Sequence, residues 1–316
     1  MDPLDKTILT KRGEEERVCS PAPPTENISQ PTNRTAQVIL HPAYRAALAK
    51  LDDFLRNPLA DNGQARCALL SGPPRCGKTT LAKRVMAIVE ASPPQARRGD
   101  PDMDRRRVIY VDTPAAATQR SMAETILLAA GDIVTGRGSQ ASLTGRVAHL
   151  LGDLDTELLV LDEFHHLITT GKKTQAAEVA EWVKSLLNTG VCPILLAGID
   201  PVSNIVNGHG QLEGRCWCQP TVQVFGWNTT DEQKTFRLLL RHLQDQLAVP
   251  TTFSLSDWDF AQRMHQASAG AIGNVTLLLE KTVSLARQRN LSALTLDLLA
   301  EAFADWSLAA ARNPFR

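Results

Sequence analysis

The chain has 316 residues, room for two compact domains at ~150 residues each. Thirty-four Lys and Arg balance 34 Asp and Glu, and 43% of residues are apolar. That balance excludes a wholly disordered chain and a polycation held to nucleic acid or membrane by bulk charge. Any nucleic-acid surface must be a local patch. Apolar runs such as 158–161 and 194–197 are too short to span a bilayer, and the N-terminal residues lack a hydrophobic signal core. Cysteines at 19, 67, 76, 192, 216 and 218 do not read as a disulfide framework. The expectation is a soluble, cytoplasmic protein with no membrane partner.

Residues 1–36 are polar, with Pro21, Pro23, Pro24 and Pro31, and predict a flexible N-terminal arm. A solvated tail and a partner-docking arm are both open readings. Tyr44, Leu48, Leu51 and Leu55 recur at helical spacing, and Pro58 and Gly63 end that helix. Short apolar strands then alternate with helices. Strands are predicted at 67–70, 108–111, 158–161, 193–197 and 222–225, and helices at 78–90, 122–130 and 175–187. Strands separated by helices imply a five-stranded parallel sheet covered on both faces, spanning 37–229. From 230 to 316 the pattern is helical alone, with helices near 231–247, 256–267, 273–289 and 295–310, which predicts a small all-helical lid domain.

The segment Ser71-Gly72-Pro73-Pro74-Arg75-Cys76-Gly77-Lys78-Thr79-Thr80 carries GxxxxGK[ST] between a strand and a helix. Glycines let the backbone curl its N–H groups inward around phosphate oxygens, and the new helix adds its positive end. The loop from Gly72 to Thr80 is therefore the expected ATP site. Lys78 is the side chain to reach the β- and γ-phosphates, and Thr79 the hydroxyl for Mg²⁺. The strand 158–161 ends in Asp162 and Glu163. Asp162 is placed to support the Mg²⁺ shell and Glu163 to polarise an attacking water.

Other residues leave two readings each. His165 and His166 follow the carboxylates, as metal ligands or as polar residues coupling the site to a neighbouring loop. Cys216 and Cys218 lie near His209 but lack paired CxxC spacing for structural zinc. Cys76, inside the loop, predicts sensitivity to thiol reagents. Arg215 precedes the fifth strand, either as an arginine finger toward a neighbouring subunit or as a surface ion pair.

A phosphate loop, an Asp-Glu strand, an arginine before the last strand and a helical C-terminal region together resemble an AAA+ ATPase. Further segments are similar to the TniB/TnsC family of AAA+ regulators of DNA transposition: His41-Pro42 with Ala46-Ala47-Leu48, Asp162-Glu163-Phe164-His165-His166-Leu167, and Asn188 with 193–198. Gln211-Leu212 ahead of Arg215, Gly270-Ala271-Ile272-Gly273 and Asn313-Pro314-Phe315 extend the likeness over about 38–316. The resemblance implies an ATP-gated homo-oligomer, ring or filament, on double-stranded DNA. It also implies a link between a TniQ-like target-selection adaptor and a DDE-type transposase, with hydrolysis dismantling the assembly. Repeated subunits would need few DNA contacts each, which suits a neutral chain. Candidate contacts to backbone phosphates are Thr118 and Arg120, Thr144 and Arg146, and Lys172 and Lys173. Two positions depart from the pattern. Asn274 stands where a basic second sensor is common, and Ile199 replaces a hydroxyl residue, leaving Asp200 as first sensor. Both departures predict slow, regulatory ATP hydrolysis. A helicase loader or other replication ATPase, and a signalling or defence ATPase, share the phosphate motifs and are the alternatives.

Overall fold

The computed structural model describes residues 42–94, 104–132, 139–167, 173–200, 202–203, 206, 208, 210–306 and 313–316. The N-terminal arm, Lys172 and His209 lie outside the described residues. The sheet is built from β1 (Cys67–Leu70), β2 (Val108–Asp112), β3 (Leu158–Asp162), β4 (Ile194–Ala197) and β5 (Cys216–Cys218). All pairs are parallel and the spatial order is β2-β3-β4-β1-β5. The three inner strands are buried at every position, as a parallel sheet covered on both faces requires.

Successive side chains alternate between two cores. Leu69, Leu159, Leu161, Ile194 and Leu196 face a core shared with α3 (Gln119–Ala129), α4 (Gln140–Asp153) and α5 (Lys173–Asn188). Ala68, Leu70, Leu158, Val160 and Leu195 face the other, filled by α1 (Pro42–Arg56) and α2 (Lys78–Ala91). A one-residue register slip would invert every one of these positions, so the two helical layers pin the sheet.

Between β4 and β5 lies the short α6 (Gly210–Glu213), and four longer helices follow: α7 (Thr230–Asp245), α8 (Trp258–Ser268), α9 (Ile272–Gln288) and α10 (Leu296–Trp306). Thr229 caps α7 in a capping box with Glu232, a local stop-and-start signal legible in the sequence. These helices close around their own core of Phe225, Phe236, Met264, Leu278 and Phe303. Phe315 is buried there too, 5.9 Å from the Phe303 ring.

The expected fifth strand at Val222–Phe225 is corrected. β5 is Cys216–Cys218, and after it the described chain pairs just past β1 through a single bridge, Ser71 to Thr221. The reason lies in β1, which ends at Leu70 because the chain turns into the loop at Gly72. Val222 donates its amide to the Ser71 carbonyl at 2.9 Å, and past that point no β1 strand remains to pair with. Phe225 instead donates to Gly270 in the C-terminal helices. No described helix is long and apolar enough to cross a membrane.

Candidate nucleotide site

The site lies at the carboxyl ends of β1 and β3, the edge where open α/β sheets bind ligands. At Gly72 the backbone has φ +148°, and a Cβ there would sit 2.1 Å from the Val222 carbonyl oxygen. Only glycine fits this entry to the loop. Gly77 is the N-cap of α2 and offers no side-chain cap, so the first-turn amides are left for a ligand. Pro74, Arg75 and Thr80 are exposed, Pro73 is half-buried, and Cys76 and Lys78 are buried.

The Lys78 ammonium arches back over the loop, donating to the carbonyls of Gly72 at 2.9 Å and Pro73 at 2.7 Å. Buried lysines need such acceptors. A phosphate oxygen in the loop would compete for the same ammonium. Cys76 is only 5% exposed. Burial pushes its thiol up, with the Lys78 charge opposing that rise. Its burial and raised thiol weigh against the reactivity expected from its place in the loop.

Thr79 and Asp162 meet across 83 residues of sequence: the Thr79 hydroxyl donates to Asp162 Oδ2 at 2.8 Å. The single hydroxyl proton of Tyr110 on β2 is shared between that oxygen at 2.9 Å and Asp112 Oδ1 at 2.8 Å. The Glu163 amide donates to Asp162 Oδ1 at 2.8 Å. Asp162 is 1% exposed, and these three donors satisfy a carboxylate that would otherwise be costly to bury. Sequence reasoning missed Tyr110. The only signal was a polar hydroxyl in an otherwise apolar strand, and its reach to Asp162 depends on β2 pairing with β3.

Glu163 follows in the left-handed region with φ +52°, a conformation that costs a non-glycine residue about 1–3 kcal/mol and clusters at functional sites. Its Oε2 lies 3.0 Å from His165 Nδ1. Burial holds the His165 imidazole below its usual value, with the Glu163 charge opposing that fall. His166 Nδ1 lies 3.0 Å from the Thr113 carbonyl. Glu163, His165 and His166 bring ligating atoms within 4.8 Å of one another, so the structure does gather the cluster that the sequence left with two readings.

Thr79 Oγ1 and Asp162 Oδ2 are hard oxygen donors in contact, the donor type that suits Mg²⁺. The Gly72 cradle, which a Cβ would fill, and the uncapped start of α2 suit a phosphate. The residues present fit both groups.

Arg215 is at the other end of the sheet. Its carbonyl accepts the Cys67 amide at 2.9 Å, where β1 begins, and its guanidinium bonds Gln64 Oε1. The four residues of β1, at ~3.3 Å each, separate it from its own phosphate loop by ~13 Å. Four of the DNA-contact candidates are engaged within the fold. Thr118 caps α3 by accepting from the Ser121 amide, and Arg120 pairs with Glu124 at 2.9 Å. The Thr144 hydroxyl accepts from Trp182 Nε1 at 2.8 Å, and Arg146 pairs with Asp132. Lys173 opens α5, but its side chain lies outside the described residues.

A parallel β2-β3-β4-β1-β5 sheet with a phosphate loop after β1, acidic residues ending β3 and helices behind it defines an AAA+ P-loop protein. The solved structures it resembles agree. Aeropyrum pernix ORC2, solved as ADPNP-ADP complexes, matches at TM-score 0.59 and 15% identity over 86% of this chain and 69% of that one. Pyrobaculum aerophilum Cdc6p matches at TM-score 0.59 and 17% identity over 89% and 71%. Aeropyrum pernix ORC1, solved in complex with DNA, matches at TM-score 0.57 and 17% identity over 83% and 65%. The family model described as "Bacterial TniB protein" matches residues 32–229, more than half of the chain, and the chain belongs to that family. No curated protein matches it.

Proposed function

We propose that this TniB-family protein is a slow, switch-like ATPase that assembles on double-stranded DNA in its ATP state and links target selection to a transposase. The observation that carries the nucleotide part is the contact of Thr79, Asp162 and Glu163 at the mouth of the phosphate loop. Family membership supports the transposition part. The DNA complex of the ORC1 structure is a property of that protein, and it makes DNA a reasonable partner to test.

In this reading the loop amides from Gly72 to Thr80 hold the phosphates, and Lys78 leaves its carbonyl acceptors to neutralise them. Thr79 and Asp162 would hold Mg²⁺, which would supply charge neutralisation at the phosphates. Glu163 accepts a hydrogen bond from the attacking water and orients it. Arg215, too far from its own loop, acts on a neighbour's phosphates in the oligomer. Asn274 is neutral, and its side chain donates to the Ser268 carbonyl at 3.1 Å. No cation comes from that position, which favours slow turnover. Thr118, Arg120, Thr144, Arg146, Lys172 and Lys173 are the DNA contacts to test, and a DDE-type transposase and a TniQ-like adaptor the protein partners.

The test is electron microscopy of the protein with duplex DNA and ATP, a slowly hydrolysed analogue, or ADP, alongside Lys78→Ala and Glu163→Gln. Regular oligomers on DNA only in the ATP state, lost in Lys78→Ala and longer-lived in Glu163→Gln, are expected. Nucleotide binding without DNA-dependent assembly would favour a replication-loader or signalling ATPase instead.

A further inference from the structure

Cys67 and Cys216 stand directly opposite each other in the β1–β5 pair. The hydrogen bond from the Cys67 amide to the Arg215 carbonyl, 2.9 Å, sets that register. Both side chains enter the same core, Cys67 as a buried member and Cys216 packed against it. Their sulfurs are 3.0 Å apart and both thiols are free. A backbone pairing, a shared core and a sulfur contact thus bring together two nucleophiles from the first and last strands of the sheet, 149 residues apart in sequence.

The third nearby thiol is directed elsewhere. The register shifts between the two pairs of the β1–β5 ladder, so Cys218 is partnered with Ala68 and packs in the other core, leaving Trp217 as the bulged residue. Two thiols without two further ligands do not make a structural zinc site. Among the described residues, the one group of three metal-ligating side chains is Glu163, His165 and His166. What remains at Cys67 and Cys216 is a dithiol.

We propose that Cys67 and Cys216 are an oxidisable pair, a modification site whose co-reactant is a small-molecule disulfide. Cys216, half-buried where Cys67 is fully buried, reacts first. Its thiolate attacks one sulfur of the small disulfide, the S–S bond breaks, and one thiolate departs with a mixed disulfide left on Cys216. Cys67 then gives up its proton to the departed thiolate and attacks the Cys216 sulfur, expelling the second thiolate, which takes a proton from water. Two protein thiols are oxidised by two electrons, and one small disulfide is reduced to two thiols. The buried Cys67 thiol is held well above its usual range by its hydrogen bond to Cys216 and by burial. Contact distance offsets that handicap by making the second step intramolecular. Disulfides in reducing compartments are mostly transient or redox-sensing, and this one would lock a three-residue edge strand, with Arg215 immediately before it, onto β1.

The experiment treats the 316-residue chain with oxidised glutathione, blocks remaining thiols by alkylation, and maps the products by mass spectrometry. The expected product is a peptide pair joined through Cys67 and Cys216, reversed by dithiothreitol, with the thermal midpoint of the oxidised protein raised by several degrees because a long loop is closed. Cys218→Ser is expected to leave the product unchanged, and Cys67→Ala to accumulate a glutathione adduct at Cys216. A Cys216–Cys218 link, a persistent adduct at Cys216 in the unmodified chain, or no reaction at Cys216 unless the protein is unfolded would each overturn the proposal. So would zinc retained through Cys216. The mapping of the unmodified chain stands even if a variant fails to fold.

Discussion

The backbone amide of Gly273 donates to the carbonyl of Arg75 at 2.8 Å, joining the first turn of α9 to the phosphate loop. Helix first-turn amides lack intrahelical partners, so the loop satisfies one of them. Asn274 beside it points to Ser268, and the connection between helical region and loop runs here through backbone. A Cβ on Gly273 would lie 3.0 Å from both the Arg75 Cβ and its carbonyl oxygen. Gly273→Val is expected to cost ~1–3 kcal/mol through that overlap and to weaken nucleotide binding about tenfold, equivalent to ~1.4 kcal/mol. Calorimetric titration with an ATP analogue and thermal unfolding measure the two effects separately; unchanged affinity would show that the contact does not couple the helices to the loop.

Tyr110 gives one hydroxyl to two carboxylates, and its own ionisation is pushed up by burial and by Asp112 and Asp162. Tyr110→Phe removes a donor from the buried Asp162, at an expected cost of ~1–3 kcal/mol in stability. The freed oxygen should make the fold more dependent on divalent cation. Unfolding midpoints with and without Mg²⁺ and nucleotide test this, and an equal loss under both conditions would contradict it.

His165 predicts a pH dependence. Its folded-state value is below the usual 6.5, chiefly through burial. The unfolded chain therefore binds the proton more readily in the window between 6.5 and the lowered value. Stability should rise with pH across that window and be lost as the solution is acidified through it. His165→Gln is expected to flatten this part of the profile, read as the midpoint of urea unfolding between pH 7.5 and 5. A profile identical to that of the unmodified protein would remove His165 as its source.

Phe315 is 5% exposed and packs against Phe260 and Phe303. Asn313 holds the segment by donating to the Ala300 carbonyl at 2.7 Å and accepting the Phe315 amide at 3.1 Å. Phe315→Ala is expected to cost ~3–5 kcal/mol, whereas Arg316→Ala, exposed beside it, should cost under ~0.5 kcal/mol. Denaturant titration of both variants distinguishes a structural tail from a loose one.

The phosphate loop, the Asp162–Glu163 pair and the four inner or leading strands were legible because each depends on local chemistry. Glycine spacing, a strand before and a helix after are visible within a dozen residues, and so is an apolar run ending in acid. The fifth strand was not, because Val222–Phe225 has as good a strand pattern as Cys216–Cys218. Which of them pairs was decided by where β1 stops. The burial of Cys76 was not legible for a related reason: its position in the loop is a sequence fact, but its burial is made by the surrounding chain.

By itself, then, the sequence determined that a glycine-rich loop would form between β1 and α2, that an acidic pair would end β3, and that helices would follow the sheet. Tertiary structure alone decided that Tyr110 shares Asp162 with Thr79, that Arg215 stands a strand's length from its own loop, and that Cys67 meets Cys216. Local propensity acts over a few residues through backbone geometry and side-chain periodicity. These later contacts join groups separated by 52 to 149 residues, and they exist only once parallel pairing has set which strand lies beside which.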